Sequence, residues 1–560
     1  WTVWQTVIND NLTRILDSMK RRALVIGLDS APLSLLQPWI AKGHLPNLGR
    51  ILGSGAFGDL FSRIPVTPIA WSSIYTGKNP GKHGILGFRN HVPGSYSDVG
   101  VNSTLREGRD IWEILGSHGK KVVVVNTPLT YPPRLVNGYL VCGFMAPGTE
   151  YEFTYPSSLG QEIKAAVPKY RIGTAPTYLK GLYLKELIST IQVVGEAAVY
   201  LLKKIDWDFA FIVFKETDEV QHSFFDSPER MLALYKRVDS FVGQFTELAG
   251  DDAHVFVVSD HGGEPIDKRF NVAEFLRRNS LIELIPTPER KSNGVFGLIG
   301  RSVFNLRLQW ILDVPGSRRI LSPLFKQRAM NTATDGSDGF YAGKIDWSKT
   351  VTFFSSGIGL RLNVKGREPQ GIVDRKDFEE VRNRIINEFA QIKDPENGKN
   401  VFSQVLPSEK LLSGPHMEEA PDILFILNSG YLPTESLTTF DPLTVSSKGR
   451  SLFSESTLWC GTHTTAGVIA MSGPNITRPT ISNATLEDVA PTILYSMGLP
   501  IPSDMDGRVL TEVFSEEHLK ENPLLWESPE VTKRSDAPHS LSRQEEDIIE
   551  ERLKALGYLS

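Results

Sequence analysis

Short, continuous apolar runs recur along the chain and alternate with segments of helical periodicity. Such runs are typical of parallel strands that are buried on both faces of a sheet. The predicted strands are Ala23 to Leu28, Lys121 to Asn126, Phe209 to Phe214, Val255 to Ser259 and Val468 to Met471. The predicted helices among them are 182–204, 228–248 and 486–497. This alternation predicts an α/β fold in which helices flank a mainly parallel sheet.

The pattern changes in the second half of the chain. Basic loops and polar stretches begin near residue 285, followed by a predicted strand at Gly357 to Val364 and a predicted helix at Asp377 to Ile392. We interpret this region as an inserted α+β domain. The predicted division is a lead-in at 1–20, a first core part at 21–284, the insertion at 285–455, a second core part at 456–520 and a tail at 521–560 with a helix at 544–556.

Composition narrows the class of protein. The formal charge of -5 over 560 residues, without basic runs, argues against binding of nucleic-acid polymers. Two distant cysteines provide no disulfide framework, and no apolar run reaches the roughly 18 residues needed to span a bilayer. We expect no membrane span and a cytoplasmic location. Because the chain starts at Trp1 and not at Met, removal of a leader peptide is an alternative. The oligomeric state is unreadable from the sequence.

The segment from Pro65 to Gly84 contains the first candidate for chemistry. Thr67 followed by Pro68 predicts a helix with a threonine N-cap and proline at its first position. A helix N-terminus offers free N–H donors to a phosphate, and a hydroxyl there could act as a nucleophile. Because most Thr-Pro pairs are only caps, the catalytic interpretation needs metal ligands elsewhere in the chain.

Acids and imidazoles follow several predicted strands. Asp29 stands where the first strand stops, the sheet edge at which α/β proteins bind ligands, although it could equally cap the next segment. Asp218 and His222 are four residues apart after another strand, so a helix would place them on one face. This pair alone is weak evidence, because such pairs are common on protein surfaces.

Two further glycine-flanked segments add candidate ligands. Asp260 and His261 come directly after a strand and are followed by two glycines, which allow a tight turn and leave room for a substrate. His463 is predicted to lie on a loop that begins at Gly461. Together the candidates form six carboxylate or imidazole ligands and one hydroxyl, enough for two metal sites of three ligands each, as used in phosphoryl displacement.

In this order, these motifs resemble the alkaline phosphatase superfamily, and in particular the type I phosphodiesterase/nucleotide pyrophosphatase group with its microbial phosphohydrolase and phosphomutase relatives. The resemblance covers nearly all of residues 21–515. It implies an alkaline-phosphatase-like three-layer core and a metal-dependent phosphohydrolase that acts on a small-molecule phosphate ester. The residues that carry it are Gly27 to Asp29, Thr67 to Gly77 with His83 and Gly84, Asp218 with His222, Ser259 to Gly262, and Gly461 to His463.

The resemblance also implies roles for these residues. One divalent ion would be held by Asp218, His222 and His463. The other would be held by Asp29, Asp260 and His261, with Thr67 bridging toward it. The two ions, zinc or alternatively manganese, would neutralise phosphate charge and activate the Thr67 hydroxyl, so that a phosphothreonine intermediate forms and is then hydrolysed.

Departures from the family pattern leave alternatives open. Ile69 to Ser72 contain no Asn after the nucleophile, which weakens nucleotide pyrophosphatase activity specifically. A phosphodiesterase or pyrophosphatase is the leading hypothesis, and a phosphomonoesterase or phosphomutase is the nearest alternative. An inactive binding protein of the same fold is disfavoured because all seven positions are chemically competent. Within the insertion, Arg367 could bind an anionic substrate group or be paired within its own loop.

Overall fold

The computed structural model describes residues 21–174, 180–285, 345–434, 452–454, 459–477, 480–530 and 541–559. The predicted lead-in at 1–20 and most of the predicted insertion before residue 345 lie outside these residues. None of the helices in the described ranges is long and apolar enough to cross a membrane.

A nine-stranded sheet, here called the central sheet, forms the core of the protein. Its apolar strands are buried almost throughout, which explains their continuous apolar sequences. Five adjacent strands, from Ala253–Val258 to Gly138–Cys142 in the order below, run parallel to one another. Ala466–Ser472 runs antiparallel to both of its neighbours. The strand order is Thr480–Thr485, Ala56–Phe61, Ala466–Ser472, Ala253–Val258, Arg22–Leu28, Phe209–Phe214, Val122–Thr127, Gly138–Cys142 and Thr154–Tyr155.

Helices cover both faces of the central sheet, as the alternating side chains of the strand Phe209–Phe214 demonstrate. Phe211 packs edge-on against Trp71 and Trp112 on one face. Phe214 stacks on Phe245 on the other face, since residues an odd number apart point to opposite sides of a strand. The main helices of the core are Leu33–Ala41, Pro46–Ser54, Thr67–Thr76, Ile111–Ser117, Leu159–Ala166, Lys180–Lys204, Glu216–Phe224, Pro228–Ala249, Val489–Ser496 and Glu516–Glu521. The predicted three-layer α/β fold is confirmed.

A second apolar core lies apart from the first. A four-stranded sheet, a three-stranded sheet and the helices Val272–Arg278 and Phe378–Ala390 build it. Its buried residues include Phe270 and Leu276, so this core begins before the predicted boundary at residue 285. The strands are Thr352–Ser355, Gly359–Leu362, Ile423–Leu427 and Phe402–Pro407 in the first sheet, and Tyr431–Thr434, Lys268–Asn271 and Phe453–Ser454 in the second.

The described structure also contains three short ribbons, the short helix Pro80–His83 and a helix near residue 550. The helix Arg543–Leu556 matches the predicted tail helix closely, and it packs Ile549, Leu553 and Leu556 against the core near Phe88. The ribbons pair Gly262–Pro265 with Gly461–Thr464, Arg89–His91 with Asp98–Gly100, and Ile501–Pro502 with Trp526–Glu527. Among these three ribbons, the one that contains Gly461–Thr464 contributes to the candidate site.

Candidate metal centre

Asp29 occupies the middle of the candidate site because it directly follows Arg22–Leu28, the central strand of the central sheet. Its side chain is fully buried. The indole Nε1 of Trp71 donates a hydrogen bond of 2.9 Å to Asp29 Oδ2, so one carboxylate oxygen is held in place. The structure thus puts Asp29 at the carboxyl end of the sheet, where ligands gather in open α/β folds.

The other candidate carboxylates lie in the segments that follow the two strands beside Arg22–Leu28. Gly27 is paired in register with Val258, and two residues later the chain reaches Asp260 and His261. On the opposite side Leu28 is paired with Phe214, after which the helix Glu216–Phe224 presents Asp218 and His222 one turn apart. Parallel strands that end at one level bring these residues together around Asp29.

His463 lies on a short strand and not on the predicted loop. Gly461–Thr464 pairs antiparallel with Gly262–Pro265, and Gly263 stands opposite His463, so the ribbon carries this imidazole to within 4.0 Å of the His261 ring, centroid to centroid. The prediction failed because a four-residue ribbon strand containing glycine has no apolar pattern.

The sequence suggested that the glycines after His261 leave room for a substrate. In the structure, the glycines of this ribbon instead permit close backbone contacts. A Cβ atom on Gly262 would lie 2.1 Å from the Ala466 carbonyl oxygen, and one on Gly461 would lie 2.5 Å from the Gln221 carbonyl oxygen. Any side chain at either position would push the ribbon away from the core.

Thr67 is the first residue of the helix Thr67–Thr76, and Val66 takes the N-cap position that was predicted for Thr67. The extended backbone of Val66, with φ -127° and ψ 120°, starts the helix one residue earlier than the Thr-Pro pattern suggested. The Thr67 hydroxyl instead faces the site, where Oγ1 lies 3.5 Å from His261 Nε2. It is fully buried.

All three imidazoles turn the same nitrogen toward the centre. The Nδ1 atoms of His222, His463 and His261 contact the carbonyl oxygens of Gly461, Pro65 and Gly262 at 2.8, 2.8 and 3.1 Å. A carbonyl only accepts hydrogen bonds, so each Nδ1 carries a proton, and in its neutral form each ring has a lone pair on Nε2. Histidines that ligate metals typically have such a backbone partner on their other nitrogen.

One oxygen of each candidate carboxylate faces the imidazoles and accepts no hydrogen bond. Within the described residues, the buried atoms Asp29 Oδ1, Asp218 Oδ1 and Asp260 Oδ2 are without hydrogen-bond partners. Asp218 Oδ1 lies 3.1 Å from His222 Nε2 and 3.2 Å from His463 Nε2. Acceptors that face acceptors in a buried site fit a cation that would be shared between them.

Two sets of three ligand atoms, each within 4.8 Å of one another, stand out among the described residues. The first is Asp218, His222 and His463, as the resemblance implies. The second is Asp29, Asp218 and His261. Asp260, expected in the second set, approaches His261 Nε2 at 3.1 Å through Oδ2. Asp218 joins both sets because its helix starts beside Asp29, so the two candidate sites are contiguous.

At this centre, burial disfavours the charged forms of the carboxyl and imidazole groups. Desolvation, assisted by the negative charge of Asp218, raises the pKa of Asp29 to about 8. Desolvation and the neighbouring Asp29 likewise raise the pKa of Asp260 well above its ordinary value. Burial and the nearby His463 hold the pKa of His261 well below its ordinary value. A bound cation would reverse the penalty on the carboxylates, because it would favour their charged forms.

Trp71 and Lys215 also contact the candidate ligands, and the sequence analysis missed both. Trp71 holds Asp29, and the buried Lys215 donates a hydrogen bond of 3.1 Å to Asp218 Oδ2. Neither residue type forms a recognisable ligand motif, and only the contacts reveal them. Lys215 directly follows the strand Phe209–Phe214 and precedes Asp218 by three residues. This position was the sequence signal that could have identified it.

Arg367 belongs to a network inside the smaller core. Its guanidinium donates to both oxygens of Asp422 at 2.8 and 2.7 Å, to Glu368 Oε1 at 2.8 Å and to the Leu362 carbonyl at 2.6 Å. These bonds favour the structural interpretation of Arg367 over a role in substrate binding. The other seven candidates lie together at the carboxyl end of the central sheet.

Comparisons with solved structures give distant likenesses. Phosphonoacetate hydrolase from Sinorhizobium meliloti 1021 is 17% identical with a TM-score of 0.49, over 85% of this chain and 95% of that one. Murine ectonucleotide pyrophosphatase/phosphodiesterase 5 is 11% identical with a TM-score of 0.48, over 89% and 100%. A mutant of alkaline phosphatase PafA is 14% identical with a TM-score of 0.47, over 88% and 99%. Structural similarity at these TM-scores does not establish an activity or a substrate for this chain.

A comparison with curated proteins found no relative. The family model of type I phosphodiesterase / nucleotide pyrophosphatase, by contrast, matches residues 23–449. This match confirms the family predicted from the ordered motifs, and with it the predicted enzyme class, a metal-dependent phosphohydrolase. The chain belongs to the type I phosphodiesterase / nucleotide pyrophosphatase family.

Proposed function

We propose that this protein is a phosphodiesterase or nucleotide pyrophosphatase that uses Thr67 as its nucleophile and two divalent ions as cofactors. The observation that carries the proposal is the buried set of facing acceptors. Three imidazole Nε2 atoms and three carboxylate oxygens without hydrogen bonds converge beside the Thr67 hydroxyl. Such a donor set suits zinc through its imidazoles, and manganese through its carboxylates.

The candidate ligands form two groups that adjoin at Asp218. Asp218, His222 and His463 would hold one ion, while Asp29, Asp260 and His261 would hold the other, with Asp218 at the boundary between them. When bound, the ions supply Lewis-acid stabilisation of phosphoryl oxygens and promote ionisation of hydroxyl groups. Zinc and manganese both satisfy these roles, so the donor set leaves the metal open.

In the proposed reaction, Thr67 would attack phosphorus. In the first step, Oγ1 of Thr67 would bond to phosphorus as the bond to the leaving oxygen breaks. The hydroxyl proton would pass to solvent water, and the leaving oxygen would depart with the electron pair of the broken bond and take up a proton from solvent. In the second step, water attacks the phosphothreonine and the bond between Oγ1 and phosphorus breaks, which restores the hydroxyl. The helix N-terminus at Thr67 and Pro68 adds a favourable dipole for a phosphate.

We infer from side-chain exposure that a substrate would approach the site from the side of His463. Its side chain is 17% exposed, whereas those of Asp218, Asp29 and His261 are fully buried. A phosphate ester entering there would meet the ligands of the first ion before reaching Thr67. The substrate class that follows is a small phosphate ester, and the leading choice is a diester.

The test is a parallel assay of protein reconstituted with zinc or manganese on a chromogenic phosphodiester and on the matching monoester, with Thr67→Ala as the control. The proposal predicts faster cleavage of the diester and loss of that cleavage in Thr67→Ala. Faster cleavage of the monoester would instead support a phosphomonoesterase or a mutase, and a mutase would return labelled phosphate to the substrate. Full activity of Thr67→Ala would refute the nucleophile.

A further inference from the structure

The two oxygens of the Asp218 carboxylate have different surroundings. Oδ1 faces His222 Nε2 and His463 Nε2 at 3.1 and 3.2 Å and accepts no hydrogen bond. Oδ2 is turned the other way, where it accepts hydrogen bonds from Lys215 Nζ at 3.1 Å and from the hydroxyl of Tyr558. The carboxylate is therefore anchored through one oxygen and open through the other.

Tyr558 reaches this position from a segment 340 residues further along the chain. The helix Arg543–Leu556 ends at Gly557, whose φ of 82° turns the chain toward the site. The helix is held by Ile549, Leu553 and Leu556, which pack against an apolar cluster with Ile85 and Phe144. This packing fixes the segment independently of the tyrosine hydroxyl.

The ring of Tyr558 is half-buried and packs against aromatic side chains. Its centroid lies 5.1 Å from that of Phe88 and 5.6 Å from that of Phe144, and Lys215 Nζ lies 4.5 Å from it. Lys215 also donates a hydrogen bond to the Tyr558 hydroxyl, which in turn donates to Asp218. Ammonium, hydroxyl and carboxylate thus form a closed triangle on the outer side of the ligand.

We propose that Tyr558 is a positioning residue of the metal centre, which fixes Asp218 through Oδ2 so that Oδ1 points at His222 and His463. The inference rests on the metal centre proposed above. A carboxylate that is bound on one oxygen by two donors cannot rotate freely, and it presents a single oxygen to a cation. Removal of such an outer partner typically weakens metal binding by about 10- to 100-fold.

The test compares Tyr558→Phe with Tyr431→Phe in the full chain. Both variants lose a tyrosine hydroxyl that donates to a buried aspartate, since Tyr431 bonds to Asp394 Oδ2 at 2.9 Å in the smaller core. Zinc and manganese affinities are measured by competition with a chromophoric chelator. For Tyr558→Phe we expect at least one ion to bind roughly 10-fold weaker or more, and for Tyr431→Phe a change below about twofold.

Two further measurements separate positioning from packing. In the cobalt-substituted protein, Tyr558→Phe should shift the visible absorption bands of the bound ion, while Tyr431→Phe should leave them unchanged. Tyr558→4-aminophenylalanine, which retains the ring and a donor at the same place, should restore affinity and spectrum. Thermal unfolding of the metal-free proteins checks that every variant is folded.

The outcomes distinguish this inference from the proposed function. Wild-type affinity for both ions in a folded Tyr558→Phe variant, with an unchanged cobalt spectrum, would overturn the role of Tyr558 and leave the metal centre standing. If the wild-type protein itself binds no ion, the metal centre fails, and the role of Tyr558 fails with it.

Discussion

The Nε2 atoms of His222 and His463 lie 3.0 Å apart, and the Nδ1–H group of each ring is already engaged by a backbone carbonyl. When the rings are neutral, neither Nε2 atom carries a proton, so both are acceptors. Asp218 Oδ1, a further acceptor, completes the triangle. A divalent cation is the simplest group that stabilises three converging acceptors in a buried site.

Substitution of His463 should therefore change the metal content. In His463→Ala the first ion loses one of three ligands, whereas the second keeps Asp29, Asp260 and His261. We expect the content to fall from two ions per chain to one, measured by mass spectrometry of the dialysed protein. His118→Ala is the matched control, because His118 pairs with Glu527 outside the site. Retention of both ions by His463→Ala would contradict the assignment.

The backbone at Gly27 is tightly packed against neighbouring side chains. A Cβ atom there would lie 2.5 Å from Cη2 of Trp71, the residue that holds Asp29. Gly27→Ala should lower the free energy of unfolding by about 1–3 kcal/mol, because the core is overpacked. It should also weaken metal binding, since Trp71 must shift.

Gly53→Ala is the control for that change. A Cβ on Gly53 meets no atom within 4 Å, and the residue lies in the helix Pro46–Ser54. Because alanine has less conformational entropy to lose in a helix, this variant should be more stable by about 0.5–1 kcal/mol. Both values come from urea unfolding. Equal effects of the two substitutions would show that the contact with Trp71 is unimportant.

His254 should make the stability of the protein depend on pH. Burial lowers the pKa of His254 from 6.5 to about 4, while its Nε2 bonds to the Pro474 carbonyl at 2.9 Å. The unfolded chain takes up a proton below pH 6.5 and the folded chain does not. Stability is therefore complete above pH 6.5 and is lost as the pH falls toward 4.

The size of this effect follows from the same values. Between pH 7 and pH 5, His254 should account for a loss of about 2 kcal/mol in the free energy of unfolding. His254→Gln, which retains a donor but does not titrate, should lack this part of the slope. Urea unfolding of both proteins at the two pH values measures the difference, and identical slopes would rule out the buried neutral histidine.

Arg367 should act on stability and leave the reaction unaffected. Arg367→Ala leaves Asp422 without the guanidinium that binds both of its oxygens, in a place where the Asp422 side chain is only 9% exposed. We expect a loss of about 3 kcal/mol in the free energy of unfolding and an unchanged KM. Lys365→Ala, which removes an exposed pair with Asp374, should cost less than about 1 kcal/mol. A raised KM at unchanged stability would favour the substrate-binding role.

The strands that carry the site could be predicted because burial on both faces demands continuous apolar sequence. Phe209–Phe214 was predicted at its observed bounds, and the neighbouring strands within a few residues. Where these strands end, Asp29, Asp218 and Asp260 follow as expected. Local periodicity therefore located most of the candidate ligands.

Other parts of the site depend on contacts between distant segments, which periodicity does not report. The ribbon that carries His463 is held by backbone pairing, and the hydroxyl of Tyr558 arrives from the tail helix, in which the sequence showed no chemistry. The start of the smaller core before residue 285 has the same cause, because the strand of Phe270 pairs with Tyr431–Thr434 and Phe453–Ser454, which lie far along the chain.

The central claim is that these residues hold two divalent ions beside Thr67. The most direct test is anomalous diffraction from crystals of the protein reconstituted with zinc, recorded at the zinc absorption edge. We predict two peaks per chain, one bounded by Asp218, His222 and His463, and the other lying among Asp29, Asp260 and His261 and within reach of the Thr67 hydroxyl. Peaks only elsewhere on the molecule, or none at all, would contradict the account.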